Sequence, residues 1–303
     1  MKFSVQLPIQ WNSDHDTFHD GATLAALARD IETQGFHACF VTEHPAPTLA
    51  WLESGGHSTI DPFVALSFAA AGTERLRLHA NILVLSYRNP LLVAKAVASL
   101  DTLSGGRMIC GVGVGYMEGE FRALGADFSR RGKTADEALA VMRQAWTGAP
   151  VNYAGAGFSA ENNVVLPRPR QLPHPPIWVG GNGDRAIERA VRFGTGWSPF
   201  PTQRAGVTEA LASIEQLEER IGRMRALCAQ HGRAPLDVCM VPFGWSMTSS
   251  GAAPDPAALV EQLRRLRDIG VTWIVLALDG ESRDHYRERL QLLGEQVLPH
   301  FAC

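Results

Sequence analysis

The chain has little of what marks a secreted, membrane or nucleic-acid-binding protein. Its 303 residues hold five cysteines (Cys39, Cys110, Cys228, Cys239 and Cys303) with no CxxC pair. That scatter argues against a zinc ribbon or a disulfide framework and for free thiols in a reducing compartment. No apolar run approaches the roughly 20 residues needed to cross a bilayer. Basic excess is missing too: 28 Lys and Arg stand against 31 Asp and Glu, a net charge of −3, so neither nucleic acid nor an anionic membrane is an expected partner. The N-terminal stretch MKFSVQLPIQW lacks an apolar core and a small-residue cleavage site. The expectation is a cytoplasmic protein.

What is present is a rhythm. Short apolar strands over 3–7, 38–41, 76–84, 177–180, 196–199, 236–247 and 273–278 alternate with amphipathic helices over about 20–34, 61–71, 89–104, 134–146, 183–193, 207–231, 254–269 and 282–298. Another strand lies in the stretch Gly105–Phe121, GGRMICGVGVGYMEGEF. Strand and helix in strict alternation require a parallel sheet. Eight such units, with no dinucleotide fingerprint in residues 1–36, favour a closed (β/α)8 barrel over an open doubly wound sheet. The domain spans 1–303, with a β-hairpin insertion at about 151–170, where glycines and Asn162-Asn163 replace the helical pattern.

In such a barrel the chemistry sits at the C-terminal ends of the strands. Glu43-His44 is a carboxylate beside an imidazole at one such exit, able to fix a tautomer and move a proton. A histidine in a loop more often satisfies nearby backbone, and the strand-exit position is what raises this one above that. The glycine series Gly111, Gly113, Gly115 strips side chains from one face of its strand, so that either a flat molecule or another strand lies against it. Gly181-Asn182-Gly183 follows a strand and opens a helix, where free N–H groups suit a phosphate. No acidic residue ends the next strand to hold a ribose, which sets the dinucleotide reading aside. His15 and His19 are spaced for a metal only if helical, and no third ligand is near in sequence; no metal site is expected.

The runs 41–45 (VTEHP), 74–125 and 175–197 together resemble the bacterial luciferase-like family, and within it most of all the coenzyme F420-dependent oxidoreductases. The resemblance covers about residues 1–250. It implies a barrel that carries FMN or the deazaflavin F420 across its mouth. It implies roles for Glu43 and His44 beside the ring, a non-prolyl cis peptide at Ala80–Asn81, and cofactor contacts at Gly113, Gly115 and Glu120. It also implies that the segment Gly180, Gly181, Asn182, Gly183 holds the cofactor phosphate. Tyr116 stands where some F420 enzymes have a glutamate, a departure that counts against a two-residue acid/base mechanism with His44; Val114 stands where FMN enzymes have an arginine, and that absence favours F420 over FMN.

The functional expectation is therefore hydride transfer between F420 and a small neutral organic substrate. His44 would be the proton donor or acceptor, Glu43 and Tyr116 would stand beside it, and Trp51 and His57 would line the substrate pocket. The alternatives are an FMN-dependent monooxygenase served by a partner reductase, and a non-catalytic flavin-binding barrel. The resemblance also implies a homodimer through the second and third barrel helices, which fits the helix with Leu91, Leu92, Ala94, Ala96, Val97 and Leu100, apolar on more than one face.

Overall fold

The structure, a computed structural model, describes residues 1–11, 20–155, 157–202, 209–245, 255–278 and 282–301. The strand-forming runs appear as β1 (Lys2–Gln6), β3 (Ala38–Val41), β5 (Arg77–Val84), β6 (Met108–Gly113), β9 (Ile177–Gly180), β10 (Gly196–Ser198), β11 (Asp237–Met240) and β12 (Trp273–Leu276). All are parallel and close in the order β1-β12-β11-β10-β9-β6-β5-β3, an eight-stranded (β/α)8 barrel. Two small additions, β2 (Gln10–Trp11) and β4 (Ser58–Thr59), pair antiparallel. The hairpin β7 (Val151–Ala154) and β8 (Ser159–Asn163) falls inside the expected insertion.

The helices are α1 (Gly21–Thr33), α2 (Leu49–Glu53), α3 (Pro62–Gly72), α4 (Pro90–Leu103), α5 (Glu118–Ala123), α6 (Arg131–Ala145), α7 (Asp184–Phe193), α8 (Ile214–Gln230), α9 (Pro256–Ile269) and α10 (Arg283–Gln296). Their starts are written in the sequence. Asp20, Asp61, Asn89, Ser213, Asp255 and Ser282 each cap a helix by accepting a backbone N–H, and prolines 62, 90 and 256 occupy the first turn, where no N–H is needed.

Strand parity divides the core in two. Inward residues Ala38, Phe40, Ile109, Trp178, Cys239, Val241, Trp273 and Val275 fill the barrel interior, while their neighbours pack beneath the helices. Cys39, Cys110, Cys228 and Cys239 are buried free thiols; Cys303 lies outside the described residues. No helix among the described residues is long and apolar enough to cross a membrane.

Boundaries shift where a local signal outweighs periodicity. The strand expected over 236–247 stops at Met240, because Pro242 has no N–H to continue the ladder. The helix expected from Val207 begins at Ile214, where Ser213 accepts from the Gln216 N–H (3.3 Å). The Gln216 side chain in turn accepts from the Ala212 N–H (2.8 Å). The supposed loop after His44 contains α2, capped by Thr48, and is tied back to the first loop through β4.

Candidate active site

The barrel mouth is shaped by an irregularity in β5. Its register against β6 slips between Ala80 and Leu83, and the non-prolyl cis peptide lies at Asn81–Ile82, one residue beyond the Ala80–Asn81 position the resemblance implied. The slip turns Ile82 inward. A Cβ on Gly113 would come within 2.3 Å of Ile82 Cδ1, and one on Gly180 within 2.6 Å. A Cβ on Gly115 (φ +78°) would meet Val84 and Phe121. These glycines are thus needed by the protein's own β5 and α5 side chains, a requirement that the sequence did not reveal. The fully buried Ala80 side chain belongs to the outer core, so only its backbone lies near the barrel wall.

His44 sits above this floor in a cluster of rings. Its ring centroid is 4.5 Å from that of Trp51, 5.0 Å from His57 edge-on, and 6.1 Å from Tyr116. The carboxylate that reaches it is that of Glu120, whose Oε2 is 3.4 Å from Nδ1 while Oε1 accepts the Ala46 N–H at 3.2 Å. A carboxylate only accepts, so the Nδ1–H points to Glu120 and Nε2 faces the Tyr116 hydroxyl at 3.5 Å. Catalytic hydrogen bonds are often this long before a ligand closes the site. Glu120 is buried, and α5 delivers it together with Phe121. Its contact with His44 is one that the resemblance did not imply.

Glu43 does not face His44's ring nitrogens. Arg88 donates from Nε (2.7 Å) and from Nη2 to Glu43 Oε1, and the Val84 N–H donates to Oε2 at 2.6 Å. Arg88 also reaches Asp61 at 3.3 Å. Burial pushes the Glu43 carboxyl up, and Arg88 with the Val84 amide offsets part of that. Both oxygens are in use, so the expectation that Glu43 orients the histidine is corrected: Glu43 braces the β5 exit.

His57 hangs from Thr42, with Nε2 3.1 Å from the threonine hydroxyl, and its Nδ1 has no partner among the described residues. Burial, with His44 nearby, pulls its pKa down to about 4, so it stays neutral at physiological pH. Burial and the Glu120 charge push the Tyr116 phenol up to about 12, which makes it a donor rather than a base.

At the proposed phosphate segment, Gly183 opens α7 without a side-chain cap. The Asn182 side chain, however, is fully buried and committed to backbone. It donates to the Phe200 and Glu209 carbonyls (2.9 and 2.8 Å) and accepts the Phe200 N–H (2.9 Å). Asn182 shapes the loop, and only main-chain groups of the segment are left to meet a ligand. His15 and His19 lie outside the described residues, and among the described residues no group of three or more His, Cys, Asp or Glu is placed to hold a metal.

The profile described as luciferase-like monooxygenase matches residues 1–288. The chain belongs to this family. Its members are oxidoreductases and monooxygenases. The chain is 26% identical over 321 residues to an F420-dependent glucose-6-phosphate dehydrogenase of Intrasporangium calvum, covering 97% of this chain and 92% of that one. Among solved structures, monooxygenase RslO1 from Streptomyces bottropensis superposes with a TM-score of 0.83 at 23% identity, covering all of both chains. An F420-dependent secondary alcohol dehydrogenase in complex with an F420-acetone adduct superposes with a TM-score of 0.78 at 16% identity, covering 100% of this chain and 99% of that one. The last two similarities establish the shared barrel.

Proposed function

We propose that this protein is an F420-dependent oxidoreductase that acts on a small, uncharged organic substrate, with His44 as its proton donor or acceptor. The observation that carries the reading is the line Glu120–His44–Tyr116 at the barrel mouth. An imidazole held at one nitrogen by a buried carboxylate presents its other nitrogen in a defined state to whatever binds, the arrangement general acid–base catalysis needs. The mouth suits a flat, largely apolar ring: Ile82 provides the floor over Gly113 and Gly180, and Gln6 and His57 offer unpartnered polar atoms nearby. A bound deazaflavin supplies or accepts the hydride.

The protein's own work is to orient and to move one proton. Glu120 fixes the His44 ring through Nδ1–H, and Nε2 takes up or gives the proton, with the Tyr116 hydroxyl donating to Nε2 while that nitrogen is unprotonated. Trp51 and His57 close the side of the pocket and exclude water. A neutral substrate fits because Arg88, the cation beside this cluster, is already held by Glu43 and Asp61. The F420-dependent relative supports the choice of deazaflavin. The segment Gly180–Gly183 would meet the cofactor phosphate through main-chain N–H groups.

Titrating the purified protein with F420 and with FMN tests the reading. Micromolar binding of FMN without binding of F420 overturns it in favour of the flavin monooxygenase that the family description suggests. Unchanged turnover in His44→Ala favours a non-catalytic binding barrel. We also propose a homodimer through α3 and α4, whose surfaces expose Val64 (52%), Phe68 (48%), Leu92 (71%) and Leu103 (84%).

A further inference from the structure

Among the described residues at the barrel mouth, Gln6 Nε2, His57 Nδ1 and the Tyr87 hydroxyl are buried without a hydrogen-bond partner, Tyr87 lying edge-on to Phe121 of α5. Gln6 ends β1 and is 4% exposed. It shares inward parity with Ser4, whose hydroxyl lies 3.5 Å from His79 Nδ1 inside the barrel, while its own carbonyl is taken by the Tyr286 hydroxyl at 2.6 Å. In register it lies beside Phe40. Two residues further along that strand direction, on the same inward face, comes Thr42, the residue that holds His57. Gln6 and His57 therefore both border Thr42, Gln6 from one level below on the neighbouring strand and His57 through Nε2, which leaves its Nδ1 directed away from the threonine.

An unpaired polar group in a protein interior is costly, and native proteins leave few. His79 Nε2 and Trp178 Nε1 are also unpaired, but they lie deeper. There His79 packs on Trp178 (4.8 Å between centroids) and Trp178 on Trp273 (5.0 Å), within the barrel interior. Gln6 and His57 stand at the end where strands open into loops, and the ligand side of that end is where a missing partner can arrive.

We propose that Gln6 and His57 form a neutral recognition pair for a carbonyl-type edge of the molecule bound at His44. A primary amide offers N–H to a carbonyl oxygen, and a neutral imidazole offers one N–H or one lone pair. Neither brings charge, so the chemistry selects an uncharged carbonyl or lactam over a carboxylate or phosphate. Burial, which holds His57 neutral, keeps the pair uncharged over the whole physiological range. This rests on the functional reading above, and two sources supply such an edge: the pyrimidine-dione side of the deazaflavin or flavin ring, and a substrate carbonyl.

The test uses the full chain with Gln6→Leu and His57→Phe, and Gln6→Met should the first fold poorly. Ligand-free thermal unfolding is measured together with the Kd for F420 and for FMN, and with the Kd for acetone on F420-loaded protein. The pair predicts affinity reduced about tenfold in both variants; Gln6→Leu, which removes an unpaired buried group, should unfold at or above the wild-type temperature, whereas His57→Phe also gives up the Thr42 hydrogen bond. Loss for the cofactor assigns the edge to the ring; loss for acetone alone assigns it to the substrate. Affinities for all three probes within twofold of wild type overturn the pair, as do variants that lose stability and keep affinity. Wild-type protein that binds neither F420 nor FMN overturns the functional reading instead.

Discussion

The carboxylate of Glu120 joins the His44 imidazole to the loop that follows it, 3.4 Å from Nδ1 with one oxygen and 3.2 Å from the Ala46 N–H with the other. Glu120→Gln keeps the Ala46 contact and the volume but removes the charge that orients the ring. Turnover should fall by roughly 10²-fold, the lower range for general acid–base catalysis, with Kd for F420 within twofold. Steady-state kinetics and a fluorescence titration of the same preparation read both; an unchanged kcat would remove Glu120 from the mechanism.

Glu43 should behave oppositely. Replacing it with leucine leaves Arg88 beside a buried apolar group and the Val84 N–H unpaired, and the loss of one partner of a buried pair costs about 3 kcal/mol. Denaturant unfolding of Glu43→Leu and Glu120→Gln should rank Glu43 as the larger loss of stability, and turnover should rank Glu120 as the larger loss of activity. A reversed ranking would return the orienting role to Glu43.

His57 ties stability to pH. Its folded pKa of about 4 lies below the unfolded value of about 6.5, so below 6.5 the unfolded chain takes up a proton that the folded one refuses. Its stabilising contribution is complete above about pH 6.5 and is lost as pH falls toward 4. At 1.36 kcal/mol per pH unit this amounts to about 3 kcal/mol over that window. His57→Phe should flatten the stability–pH curve by that amount between pH 6.5 and 4, while buried His79, pulled down to about 3, retains its own share.

Gly113 is required by Ile82. Gly113→Ala forces its methyl against Ile82 Cδ1, and overpacking of this kind costs about 1–3 kcal/mol. Adding Ile82→Ala should relieve the clash, so that the double variant is more stable than the sum of the two single effects by at least about 1 kcal/mol. Strict additivity in chemical denaturation would mean that the two residues do not meet.

A charge placed on the exposed apolar face of α3 and α4 should separate the proposed dimer. Phe68→Glu with Leu92→Glu is expected to sediment as a monomer at concentrations where the unmodified protein sediments as a dimer. A monomeric wild-type protein would sink the proposal.

The sequence determined the barrel by itself. Apolar strand runs, Asp, Asn and Ser caps and first-turn prolines are local signals, and their alternation admits one parallel architecture. It also marked His44, because the exit of a barrel strand is a position that counting reveals. What it left open were relationships between distant residues. Glu43 adjoins His44 in the chain, yet a side chain one position away points elsewhere, and Arg88 claims it. Glu120, 76 residues on, reaches the imidazole only because β3 and β6 both end at one mouth. The purpose of Gly113 and Gly180 was likewise hidden, since the β5 register slip that drives Ile82 against them exists only once the ladder forms. Local propensity sets elements, whereas the pairing of a buried charge or the filling of a missing Cβ depends on which strands the closed barrel brings side by side.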